Sequence, residues 1–161
     1  MELTARSPSC FSSNYVLQLN GRALGEFKGR WFSESLDIRL TDQRRWTLHR
    51  EGWVSGRFSL LNETDEVFGT GRHKSWLSSR WLLELSVGEC QMVSAGLFNT
   101  GYVLEQHGRQ LATVRSVNWC EGGWAVQADD PGLDAADLVL VGLIYHVIVQ
   151  RRRSSGAAAA S

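Results

Sequence analysis

Net charge is the first thing this chain lacks. Seventeen Lys and Arg are matched by seventeen Asp and Glu, which argues against a dedicated nucleic-acid binder, whose domain is plainly basic. Proline is scarce too: two in 161 residues, beside sixteen glycines, exclude collagen-like and Pro-rich architectures. Cysteine is limited to Cys10, Cys90 and Cys120, with no CxxC pair. Neither a disulfide framework nor a thiolate zinc site is expected, only small buried or idle thiols. The opening MELTARSPSCFSSN has no apolar core of the kind a signal peptide needs, so the expected setting is cytoplasmic, at most peripheral at a membrane. Long apolar runs are missing as well. The longest, Leu138 to Val149, has twelve residues, short of the ~20 that cross a bilayer.

What is present reads as β structure. From Tyr15 to Gln127, short runs rich in Leu, Val and aromatic residues alternate with turn residues. YVLQL and ALGEFK flank Asn20-Gly21, a pair that accepts the positive φ of a tight hairpin. SLDIRL places Leu36, Ile38 and Leu40 on one face. About eleven strands follow one another without intervening helices, which implies an antiparallel meander. Seven Trp suggest large rings filling a roomy interior.

The run LVLVGLIYHVIVQ differs. Apolar groups stand on every side of a helix there, with Gly142 and His146 as exceptions, so the helix needs apolar surroundings all round. A run of about 10–14 residues points to a buried core helix more than to a span. Acids before it and Arg151 to Arg153 after it suit the two ends of the helix dipole. Twelve helical residues rise about 18 Å, close to the height of tilted seven-residue strands. The expected fold is mainly β: a closed antiparallel β-barrel of about 11–12 strands around a central apolar C-terminal α-helix. Its core residues include Leu138, Leu140, Val141, Ile144, Tyr145, Val147 and Ile148. The expected organisation is a disordered segment at 1–13, the barrel at 14–153 with its helix at about 135–150, and a low-complexity tail at 154–161.

The stretch Ala128 to Gln150, ADDPGLDAADLVLVGLIYHVIVQ, and hairpins such as GYVLEQHGRQLATV resemble the tubby C-terminal-like superfamily. The likeness is to its LURP-one-related and phospholipid scramblase branch, and it covers roughly Asn14 to Arg153 in pattern. It implies a lipid-associated or scaffolding role, since tubby domains bind phosphoinositide headgroups through basic residues. No headgroup-binding residue aligns onto this chain.

Candidate chemistry is sparse. Asp129, Asp130, Asp134 and Asp137 concentrate acid, and the resemblance to scramblases implies Ca²⁺ there. Their spacing does not give the ligand pattern of an EF-hand loop, and the plainer reading is a turn whose acids cap the helix. His146 is expected to be a neutral core residue. His49, His73 and His107 form no ligand pair, no GxSxG elbow occurs, and Gly69-Thr70-Gly71 reads as a turn or strand kink rather than a phosphate loop. No other cofactor is expected. Arg30, Arg44, Arg45, Arg72 and Arg80, several beside Trp31, Trp46 or Trp81, offer planar donors to phosphate. The plainer reading is that alternation places such arginines outward and the Trp inward. The expected function is therefore a non-enzymatic binding or scaffold module meeting anionic phospholipid headgroups, with any protein partner unknown and no nucleic acid. The rivals are a single-pass protein using 138–149 as a short span and a Ca²⁺-dependent activity at 129–137.

Overall fold

A computed structural model describes residues 1–9, 12–29, 35–52, 56–75, 78–96, 101–117 and 123–160, with the side chains of 157–160 left aside. The described residues form twelve strands and one helix: β1 (Glu2–Arg6), β2 (Asn14–Leu19), β3 (Arg22–Lys28), β4 (Ser35–Leu40), β5 (Arg45–Glu51), β6 (Arg57–Leu61), β7 (Val67–His73), β8 (Trp81–Leu85), β9 (Gly88–Ser94), β10 (Tyr102–Gln106), β11 (Arg109–Ser116), β12 (Trp124–Ala128) and α1 (Ala135–Ala160). Each strand pairs antiparallel with its sequence neighbour, and β1 pairs with β12 to close the barrel. Closure leaves no unpaired edge.

The expected barrel and its threaded helix are what the chain forms. Leu138 to Ile148 are buried throughout, because the inward positions of the strands, such as Leu17, Ile38, Leu60, Leu83 and Leu104, surround them. Two boundaries need correction. The segment expected to be disordered contributes β1, whose Leu3 and Ala5 are fully buried and whose partners are Leu19 and Val126 for Leu3. Without it β2 and β12 would both be open edges. The helix also continues to Ala160, so the low-complexity tail is helical rather than outside regular structure, with the Ser154 hydroxyl donating to the Gln150 carbonyl at 3.0 Å. Alanine is the best helix former.

Alternation of direction gives the barrel two unlike ends. Tight connections close one: Asn20-Gly21, with φ of 49° and 77°, then 41–44, 62–66, 86–87 and His107-Gly108. The helix enters here. At the opposite end β1, β3, β5, β7, β9 and β11 finish and the even-numbered strands begin, and the helix leaves through it.

Small residues decide where the helix lies. Gly69 and Gly71 face it from β7: a Cβ at Gly69 would meet Leu140 Cδ2 at 2.9 Å, and one at Gly71 would meet Ile144 Cδ1 at 3.0 Å. The expected strand kink is thus a flat landing for the helix. On the β12 side, Gly142 receives the Trp124 ring, whose Cζ3 lies 2.0 Å from where a Cβ would stand.

Candidate functional site

The acidic segment is spent on architecture. Asp134 caps α1, its Oδ1 accepting from the Asp137 N–H at 2.9 Å, while Asp137 Oδ2 accepts from the Asp134 N–H at 3.0 Å. This is a reciprocal capping box at the start of the helix. Asp137 is buried and accepts also from the backbone N–H of Ser86, at 2.9 Å, and from its hydroxyl. It therefore ties the helix entrance to the β8–β9 turn. Asp130 pairs with Arg109 and accepts from the Gly132 N–H at 2.7 Å. Asp129 accepts from Gln110 Nε2 at 2.7 Å. The four carboxylates point to four different sets of donors, and among the described residues no three His, Cys, Asp or Glu form a group able to hold a metal ion.

The membrane-span alternative is corrected by the same coordinates. Residues 138–149 have the barrel wall around them, and among the described residues no helix is long and apolar enough to cross a bilayer.

His146 sits inside, with Nε2 3.3 Å from the Gly29 carbonyl and its ring edge-on to Tyr15 and Phe27, at 5.1 and 5.5 Å between centroids. Burial pushes its pKa down to about 4; the Gly29 contact opposes the shift and the Arg153 charge adds to it. The imidazole is neutral at neutral pH. Nδ1 is buried and has no hydrogen-bond partner among the described residues. Cys90 is buried as well, and burial pushes its thiol up to about 11, which leaves it inert as a nucleophile. Cys10 and Cys120 lie outside the described residues.

The arginines singled out from the sequence do not form one site. Arg44 and Arg45 belong to the turn end; Arg44 is committed to Asp42 at 2.7 Å, and the Arg45 backbone N–H donates to Glu63 at 2.6 Å. Arg72 and Arg80 are exposed at the exit end, on β7 and just before β8. Arg30 and its neighbour Trp31 lie outside the described residues. Trp46 and Trp81 point inward and are buried, as alternation requires.

The exit end nevertheless gathers positive charge. Arg72, Lys74, Arg80, Arg151, Arg152 and Arg153 all stand there, and none makes an ion pair among the described residues. The turn end carries Asp42, Glu63, Asp65, Glu66, Asp129 and Asp130 instead. A net charge of zero therefore conceals a molecule with one cationic and one acidic pole. Reasoning from the sequence missed Arg151 to Arg153 as part of the cationic pole, assigning them to the helix dipole and, in the span alternative, to the cytoplasmic flank. Arg152 Nη2 donates to the Tyr102 hydroxyl at 2.6 Å, and its Cζ lies 5.5 Å from the Tyr102 ring centre. A groove of about 490 Å³ opens where β3 and β4 diverge beyond Phe27 and Ile38; Glu26 and Asp37 line it together with Lys28, Arg39 and Arg45.

No protein-family model matches the chain, and no curated protein matches it in sequence. Among solved structures, an X-ray structure of a protein from Arabidopsis thaliana is similar, with a TM-score of 0.61 over 91% of this chain and 90% of that one, at 12% sequence identity. That likeness is one of fold. By fold, the chain is a closed twelve-stranded antiparallel barrel with a central C-terminal helix.

Proposed function

We propose that this chain is a tubby-like barrel of the LURP-one-related and scramblase type that acts as a non-enzymatic binding or scaffold module, its exit end docking peripherally on anionic phospholipid headgroups. One observation carries the reading: Arg72, Lys74, Arg80 and Arg151 to Arg153, which make no ion pair among the described residues, share one pole, while Asp42, Glu63, Asp65, Glu66, Asp129 and Asp130 lie at the other. Each Lys or Arg close to an anionic leaflet contributes about 1 kcal/mol. Six such groups give roughly 6 kcal/mol, an association between millimolar and micromolar, suited to reversible docking. The acidic pole opposes any other orientation. Flotation of the full chain with phosphatidylcholine vesicles, with and without phosphatidylserine, tests the reading. The protein is expected to float with the anionic vesicles alone, and the double variant Arg72→Gln/Arg80→Gln to float less. Absence from both fractions ends the lipid proposal.

A further inference from the structure

Two adjacent arginines followed, one residue further on, by a hydroxyl occur at two places in the chain. One is Arg44-Arg45-Trp46-Thr47. The other is Arg151-Arg152-Arg153-Ser154-Ser155, where both serines have arginine two and three residues before them. The fold treats the two places differently. Thr47 lies within β5, paired with Asp37 of β4 and Leu61 of β6, and its hydroxyl donates to Asp37 Oδ1 at 3.0 Å. That stretch stays in the wall unless the barrel opens. Ser154 and Ser155 stand on α1 beyond the exit mouth, where Arg151 to Gly156 are all exposed. An exposed helix end opens locally at little cost. Gly156 is a poor helix former, and the Ser154 and Ser155 hydroxyls donate to the Gln150 and Arg151 carbonyls at 3.0 and 2.9 Å, a back-bond that slightly destabilises a helix.

Opening from the C-terminal side ranks the two serines. Presenting Ser155 with its two preceding arginines uses Arg153 and Arg152, and gives up the Arg152 bond to the Tyr102 hydroxyl. Presenting Ser154 also pulls Arg151 from over the rings of Phe58 and Trp81, 5.7 Å from each centre. We propose that Ser155 is a phosphorylation site for a serine/threonine kinase that reads arginine two and three residues before the acceptor, and that the phosphate discharges the cationic pole. The Ser155 Oγ attacks the γ-phosphorus of ATP. Its new O–P bond forms as the bond from that phosphorus to the β,γ-bridging oxygen breaks, ADP leaves, and the hydroxyl proton passes to the kinase's carboxylate base. The product carries a charge of about −1.5 to −2 at pH 7, one helical turn from Arg151 and Arg152. It cancels about two of the cations gathered there, which should weaken binding to anionic vesicles about ten- to thirtyfold. The discharge rests on the lipid reading; the modification does not.

Incubation of the full chain with ATP, Mg²⁺ and the catalytic subunit of cyclic-AMP-dependent protein kinase, which has this arginine preference, tests the site by mass spectrometry and peptide mapping. Phosphate is expected on Ser155 first, on Ser154 more slowly, and not on Thr47. Arg153→Gln should slow phosphorylation of Ser155 about tenfold or more, the order of one lost charge-assisted contact, and slow Ser154 less. Flotation with phosphatidylserine vesicles then compares the native chain before and after kinase treatment with Ser154→Ala/Ser155→Ala treated alike. The phosphorylated chain is expected to leave the vesicles and the double variant to stay. No phosphate on Ser155, or phosphate on Thr47 instead, overturns the site. A phosphorylated chain that floats as before overturns the discharge. Phosphate on Ser155 of a chain that never floats leaves the site standing and removes the lipid reading.

Discussion

Gly142 and Trp124 fit together so closely that a methyl group on the glycine would stand 2.0 Å from Cζ3 of the indole. On an isolated helix, Gly to Ala adds about 1 kcal/mol of stability. Here the sign reverses. Gly142→Ala is expected to destabilise the fold by about 1–3 kcal/mol, the usual range for overpacking a filled core, as read by urea unfolding. Trp124→Leu in the same chain should recover part of that loss, because the two sites share one volume. Additive losses in the double variant would contradict the packing.

The two glycines of β7 should differ from each other. A Cβ at Gly69 meets the Glu84 backbone oxygen at 2.7 Å, whereas one at Gly71 meets the flexible end of Ile144 at 3.0 Å. Backbone yields less readily than a side-chain terminus. Gly69→Ala should therefore lower the unfolding free energy more than Gly71→Ala, and Ile144→Val should offset Gly71→Ala alone. Equal losses at the two glycines would count against this placement of the helix.

Helix entry rests on the capping box. Asp134→Ala is expected to cost about 1 kcal/mol, the usual loss of an N-cap. Asp137→Ala should cost more, about 3 kcal/mol, since it leaves the Ser86 N–H, the Ser86 hydroxyl and the Asp134 N–H without their acceptor. Chemical denaturation of the two variants side by side checks the order.

His146 makes stability depend on acid. Its pKa is about 4 in the fold, against 6.5 for the unperturbed side chain. Between those values the unfolded chain binds the proton and the folded chain does not, so stability falls as pH drops from about 6.5 to about 4. The whole effect is about 3 kcal/mol, at 1.36 kcal/mol per pKa unit. His146→Gln, which keeps an N–H for the Gly29 carbonyl, should flatten the profile of unfolding free energy across that window. An unchanged slope would show that other groups set it.

The strands and the apolar helix were legible because both rest on periodicity, two for a strand and none for a helix surrounded on all sides. β1 was harder to find: ELTAR offers one short alternation, too brief for a periodic signal. Parity could have revealed it, since a closed meander of antiparallel neighbours needs an even number of strands and eleven lacks one. The same parity separates the arginines. Arg44 and Arg45 stand where even-numbered β4 gives way to β5, and Arg72 and Arg80 where odd-numbered β7 gives way to β8, so they belong to opposite ends. Gly69 and Gly71 gave no such clue. Their role depends on how near the helix approaches β7, a distance between residues some seventy positions apart that no local pattern encodes.

Pairing of β1 with β12 has a consequence for how the molecule is made. On the ribosome the twelve strands emerge before the helix that fills them, yet the first and last of them form the seam. A nascent chain that zipped this seam early would enclose a hollow, poorly packed lumen and shut its own filling out. Productive assembly is thus expected to hold an open, curved sheet until residues beyond 135 have emerged, with closure as a late and slow event. Chaperones that shield exposed apolar sheet surface have a natural client in that interval.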